Sequence, residues 1–163
     1  MGQDRDVGSA KRSAGLLLYR RRGAGVEVLL GHMGGPFWAR RDEGGWSIPK
    51  GEYDEGSEEP FDVALREFGE EMGSQPELAS IVALGETRQP GGKLVRIWAA
   101  QGDLDASRVR SNVFTMEWPR GSGRMAEFPE IDRADWFALD EARVKLGKGQ
   151  RVFLYRLATA LRH

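Results

Sequence analysis

The sequence predicts an α/β fold built on a mixed β-sheet, and three observations carry that prediction. First, two apolar runs of strand length, "GLLLY" at Gly15 to Tyr19 and "VEVLLG" at Val26 to Gly31, are separated by the glycine-bearing turn "RRGAG", which reads as a hairpin. Second, from Glu59 to Met72 the apolar residues Phe61, Ala64, Leu65, Phe68 and Met72 recur at intervals of three and four, the period of an amphipathic helix. Third, more strand signals follow that helix and the chain closes on two further helical segments. Hairpins exclude a purely parallel sheet.

In order along the chain, Lys11 to Arg20 and Val26 to Met33 form the first two strands. The glycines and proline of "GGPFWARRDEGG", Gly34 to Gly45, make a loop, and "WSIP" at Trp46 to Pro49 is a short extended piece. Pro60 suits the first turn of the helix and Gly73 its C-terminal stop. Ile81 to Glu86, Leu94 to Ala100 and Asn112 to Trp118 read as strands, with "PGGK" at Pro90 to Lys93 as a turn. The polar stretch "PRGSGRMAEFPE", Pro119 to Glu130, reads as a loop. A last strand runs through "ADWFAL", with Trp136 and Phe137 as core residues, and the helices "LDEARVKL" and "GQRVFLYRLATALRH" follow. With no internal repeat and no long linker, residues 1–163 are expected to form a single domain, residues 1–10 being a flexible N-terminal segment.

Composition narrows the function classes. A content of 40% hydrophobic and 30% charged residues is too apolar for a disordered chain. The net charge of −1 gives no global field for nucleic acid or an anionic membrane, so a polyanionic ligand has to be met locally. The absence of cysteine removes disulfides, thiolate zinc sites and a cysteine nucleophile together. No apolar run reaches membrane length, and "MGQDRDVGSAKRSAG" lacks the apolar segment of a signal peptide, so a cytoplasmic location is expected.

The unusual stretch is "IPKGEYDEGSEEPFDVALREFGEEMGS", Ile48 to Ser74, where nine carboxylates gather around Lys50 and Arg66. At about 100° per residue, Glu67 and Glu71 lie on one side of the helix with Glu70 beside them, flanking the apolar stripe. Carboxylates converging at the edge of a core repel one another, at a cost that grows as water is excluded. A hard divalent cation, magnesium or manganese, relieves that repulsion with oxygen ligands alone. The competing reading is a solvated acidic face with Arg66 and Lys50 as surface partners.

The arrangement resembles the signature of the Nudix hydrolases: Gly, five residues, Glu, seven residues, Arg-Glu, an apolar residue, any residue, Glu-Glu, any residue, Gly, and an apolar residue. Arg66, Glu67, Phe68, Glu70, Glu71 and Gly73 fill its second half in register, and Glu58 stands seven residues before Arg66. Two positions depart from it. Six residues rather than five separate Gly51 from Glu58, and Ser74 stands where an apolar residue is usual.

The resemblance implies a Nudix-type α/β/α sandwich and Mg-dependent attack of water on a pyrophosphate linkage within a nucleoside diphosphate bonded to another group, as in a nucleoside triphosphate, a dinucleoside polyphosphate or ADP-ribose. Residue by residue, it makes Glu67, Glu70 and Glu71 metal ligands, with the Gly51 carbonyl as a further ligand that the extra residue puts in question. Arg66 orients the carboxylates, and Glu58 pairs with Arg66 or serves the metals through water. Lys50 can meet a phosphate. The general base of the family commonly comes from a later loop, and Glu127 and Glu130 are the candidates here, with Glu117 third.

For the other half of the substrate, Phe37, Trp38 and Trp118 either stack on a base or cap the core, and Arg40, Arg41, Arg120 and Arg124 are available to distal phosphates. His32, which follows a strand of apolar residues, reads as a satisfied, partly buried histidine rather than a catalytic one. Expected partners are therefore a nucleotide-type small molecule, with neither membrane nor specific nucleic acid, on a monomer or homodimer. The alternative is a catalytically weak Nudix-shaped module that binds a nucleotide, and the longer loop before Glu58 is the feature that favours it.

Overall fold

A computed structural model describes residues 11–162; the expected N-terminal segment, residues 1–10, lies outside the described residues. In chain order the elements are β1 (Arg12–Arg22), β2 (Gly25–Met33), β3 (Trp46–Ser47), β4 (Lys50–Tyr53), α1 (Pro60–Met72), β5 (Ala79–Arg88), β6 (Leu94–Gln101), β7 (Val113–Glu117), β8 (Met125–Pro129), β9 (Ile131–Ala138), α2 (Leu139–Lys145) and α3 (Val152–Leu161). Single 3₁₀ turns at Ala106–Arg108 and Lys148–Gln150 complete the list.

β1 is the axis of a seven-stranded mixed sheet. β6 runs parallel to it over Arg12 to Tyr19, and β5 pairs antiparallel with β6 as the far edge. The other side of β1 is shared. Arg12 to Gly15 pair with β4, whereas Tyr19 to Arg22 pair with β2, so β2 diverges from β1 after the Gly23 turn. The wedge is filled by β3 on β2 and β4 on β1, and where they join, the Leu16 N–H donates to the Pro49 carbonyl at 3.1 Å. β9 lies antiparallel along the outer side of β2.

Strand alternation sends successive β1 side chains to opposite faces, and both faces are buried. Leu16 and Leu18 join Val63, Ala64, Phe68 and Met72 of α1 in one core layer. Leu17 and Tyr19 join Ala142 of α2 and Phe153, Leu154 and Leu157 of α3 in the other. The result is an α/β/α sandwich. Each large apolar side chain fully enclosed in these layers, such as Phe68, contributes about 1.5–3 kcal/mol of transfer free energy.

α1 begins at Pro60, whose missing N–H costs nothing in a first turn. It stops at Gly73, which adopts φ 81°, and the Gly73 N–H returns to the Gly69 carbonyl at 2.8 Å. A Cβ at Gly73 would also meet the Arg110 carbonyl oxygen at 2.5 Å, so this position needs glycine twice over. The last carbonyls of α1 are capped from outside: the Asn112 N–H donates to Glu70 at 3.0 Å and the Arg110 N–H to Met72 at 3.2 Å.

One expectation is overturned. The stretch from Pro119 to Glu130 is not all loop, because Met125–Pro129 is a strand that pairs with β7 as a separate two-stranded hairpin. Ala126 and Phe128 face inward while Met125 and Glu127 are exposed, an alternation too short to stand out beside the glycines and proline that precede it. Phe128 packs beside its cross-strand partner Phe114 with ring centres 5.9 Å apart. No helix of the described residues is long and apolar enough to cross a membrane.

Candidate active site

The acidic flank of α1 faces β4 across the wedge in the sheet. A Cβ built on Gly51 would fall 2.1 Å from Glu67 Cδ, so only glycine leaves room for the Glu67 carboxylate here. The extra residue before Glu58 leaves β4 in its pairing with β1. It is taken up in a tight turn at Asp54 to Glu58, where the Ser57 and Glu58 N–H groups both donate to the Asp54 carbonyl at 3.2 and 3.3 Å and Gly56 adopts φ 91°. Glu58, at the end of that turn, accepts from the Asp54 N–H at 3.3 Å and from Arg66 Nη1 at 2.9 Å. These two bonds hold its carboxyl below the usual carboxylate range, Arg66 contributing most.

Arg66 organises this edge. Besides Glu58, its guanidinium lies 3.6 Å from Glu67 and 3.8 Å from Glu70. Glu71 is treated differently. Burial pushes its carboxyl up to about 8, and the charges of Glu67 and Glu130 push the same way, against the opposing charge and backbone amide of Lys50. Glu67 is also raised, first by burial and then by Glu70 and Glu130, despite Arg66. Lys50 is lowered, by burial and by Lys93, although Glu71 and Glu52 oppose this. Lys50 and Glu71 each favour the other's charge, yet burial opposes the charged form at both.

Glu67, Glu71 and Glu130 thus lie near enough for their charges to oppose one another. Among the described residues no group of three or more acids or imidazoles stands at metal-ligand spacing, and Arg66 lies against Glu67 and Glu70. The chemistry of the donors nevertheless fits a hard divalent cation. They are all oxygens, they repel one another, and a glycine backbone lies directly against one of them.

Of the acids beyond the helix, Glu130 is the one whose charge is felt at Glu67 and Glu71. It sits between β8 and β9, its N–H bonded to the Asn112 carbonyl and its own carbonyl accepting from Gly34. Glu127 is exposed on β8 opposite Thr115. Glu117 is committed to the hairpin turn, accepting from the Gly121 and Gly123 N–H groups at 3.0 and 2.8 Å.

The loop from Gly34 to Gly45 packs on that hairpin. Phe37, 53% exposed, meets Trp118, 39% exposed, edge to face at 6.3 Å, and the Arg120 guanidinium lies 5.4 Å over the Phe37 ring. Trp38 is half-buried with Arg41 5.6 Å over its ring, and Arg40 is exposed in the same loop. Phe37, Trp118 and Arg120 come together at the hairpin tip, roughly 20 Å along the strands from the base where Glu130 lies. Sequence reasoning missed this joining of the loop to the hairpin tip; the short "MAEF" alternation was the one signal for it.

A family model described as NUDIX domain matches residues 10–157. No curated protein sequence matches the chain. Among solved structures, the Ap4A hydrolase of C. elegans in a binary complex is 21% identical with a TM-score of 0.62, covering 94% of this chain and 98% of its own. The MutT protein of Methanosarcina mazei Go1 is 18% identical with a TM-score of 0.61, covering 94% and 96%. The NUDIX domain of Shewanella oneidensis NrtR, complexed with ADP ribose, is 15% identical with a TM-score of 0.59, covering 99% of each chain.

Proposed function

The chain belongs to the NUDIX domain family as a Nudix-type hydrolase, and from that premise we propose that it is a magnesium-dependent enzyme that hydrolyses a pyrophosphate linkage in a nucleoside diphosphate joined to another group. The observation that carries this reading is the buried carboxyl of Glu71, raised to about 8 beside Glu67 and Glu130 at the edge of α1. Such a cluster is costly without a cation and well suited to one.

In this reading Glu67 and Glu71, with Glu70 and the Gly51 carbonyl, hold Mg2+, and Mn2+ fits the same donors. A bound divalent cation would supply charge to the phosphate oxygens and acidify a water molecule. Arg66, steadied by Glu58, keeps Glu67 and Glu70 aligned. Glu130 is best placed to take the proton from the attacking water, ahead of Glu127, because its charge reaches both Glu67 and Glu71. Lys50 offers its ammonium to a phosphate. Trp38, Arg40 and Trp118, with Phe37 and Arg120, take the other half of the substrate.

The substrates considered are nucleoside triphosphates, dinucleoside polyphosphates and ADP-ribose; the Ap4A hydrolase and the ADP ribose complex among the structural neighbours support this range. Reading the protein as a catalytically weak binding module rested on the extra residue before Glu58. That residue is accommodated in the Asp54–Glu58 turn, which supports the enzyme. The deciding experiment incubates the protein and Mg2+ with each of these nucleotides and follows product release. Turnover of at least one is expected, whereas binding without turnover of any would return the module reading.

A further inference from the structure

His32 is a buried group that the hydrolytic reading leaves unused. It lies near the end of β2 with no exposed surface. Its Nδ1 stands 2.9 Å from Asp132 Oδ1 on β9, and its Nε2 stands 2.6 Å from the Arg41 carbonyl oxygen. The imidazole thus bridges an oxygen on β9 and a backbone oxygen of the loop, and removing the ring would leave a polar atom inside the protein without its partner.

Asp132 is held in turn by Arg133, whose Nη1 lies 3.7 Å from the same Oδ1. Trp46 lies edge-on to the imidazole at 5.2 Å, with the Arg133 guanidinium 5.2 Å from the indole centre. Trp46 Nε1 donates to Asp42 at 2.9 Å, and Asp42 also pairs with Lys145 on α2. The nearest loop charges are thus already partnered. The packing is close as well, since a Cβ on Gly45 would fall 3.2 Å from His32 Nε2.

We propose that His32 is a positioning residue: its buried imidazole clamps the Arg41 carbonyl to Asp132 and so ties the loop from Gly34 to Gly45 to β9. That loop carries Phe37, Trp38 and Arg40, so the inference rests on the reading that these residues hold the substrate. Loss of either ring contact releases the loop from β9. Substrate affinity then falls while the carboxylates of α1 stay in place.

The chain has only two histidines, His32 and His163, so labelling with 15N-histidine gives two ring systems, and H32Q identifies one of them. In D132N the His32 ring signals are expected to shift from their parent positions; unmoved His32 signals overturn the proposal. In H32Q and D132N, the Arg41 and Gly45 amides are expected to exchange with solvent at least about tenfold faster while α1 amides keep their protection, and unchanged loop exchange overturns it. With a turned-over nucleotide, H32Q is expected to raise KM about fivefold with kcat within twofold. A loss confined to kcat contradicts a positioning role. If the parent turns over no nucleotide, the hydrolytic reading fails, and the ring spectrum and the loop exchange still decide the clamp.

Discussion

Replacing Glu71 by glutamine should stabilise the metal-free protein at alkaline pH. The parent carboxyl is raised from 4.5 to about 8, chiefly by burial, so between these values the folded state holds a proton that the unfolded chain has lost. Folding stability from this group is therefore fully present below pH 4.5 and declines as pH rises through 8. At 1.36 kcal/mol for each tenfold change in proton affinity, the full shift corresponds to about 4–5 kcal/mol. Local relaxation and water entry reduce this to about 2–3 kcal/mol. Glutamine keeps the shape without the charge, so E71Q should unfold about 5–10 °C above the parent at pH 8 in chelator, the gap closing by pH 5. Thermal scans of both proteins from pH 5 to 8 measure it. Because the comparison is a difference between two proteins, carboxylates such as Asp42 and Asp103, whose lowered values weaken the fold in acid, cancel. Equal melting temperatures across that range would refute the idea that burial strains Glu71, and with it the physical case for a cation there.

Other perturbations separate geometry from folding. Gly51→Ala would place a methyl group 2.1 Å from Glu67 Cδ, so turnover should fall at least about a hundredfold with the circular dichroism spectrum unchanged. Arg66→Ala frees Glu58, Glu67 and Glu70, and should weaken the Mg2+ dependence of the rate about tenfold or more, while the melting temperature barely moves because the ion pairs are solvent-accessible. Trp118→Ala should raise KM by about tenfold, the size expected for removing one stacking surface of about 1–3 kcal/mol, with kcat little changed. Phe68→Ala, at a fully buried position under α1, should cost about 3–5 kcal/mol in urea unfolding.

The parts legible in the sequence are those set by local repetition. The α1 stripe repeats over several turns, and Pro60 and Gly73 mark its ends by backbone chemistry alone, so helix and carboxylates were placed together. The divergence of β2 from β1 was not legible, because it depends on which distant strands share β1, and no local pattern encodes that. β8 was hidden by its brevity. His32 reads from the sequence as a satisfied, partly buried histidine and is in fact fully buried, yet its partner Asp132 stands a hundred positions away and nothing near His32 announces it. The same holds for Phe37 and Trp118, which meet only because a loop and a hairpin pack together.

As proposed, carboxylates on α1 hold the cation that drives pyrophosphate cleavage. The most direct measurement is the initial rate of nucleotide hydrolysis as a function of Mg2+ concentration, for the parent and for Glu71→Gln, with folding monitored in parallel. A saturable Mg2+ requirement is expected in the parent, with a loss of about a hundredfold or more in the folded variant. A rate independent of Mg2+, or a variant as fast as the parent, would contradict it.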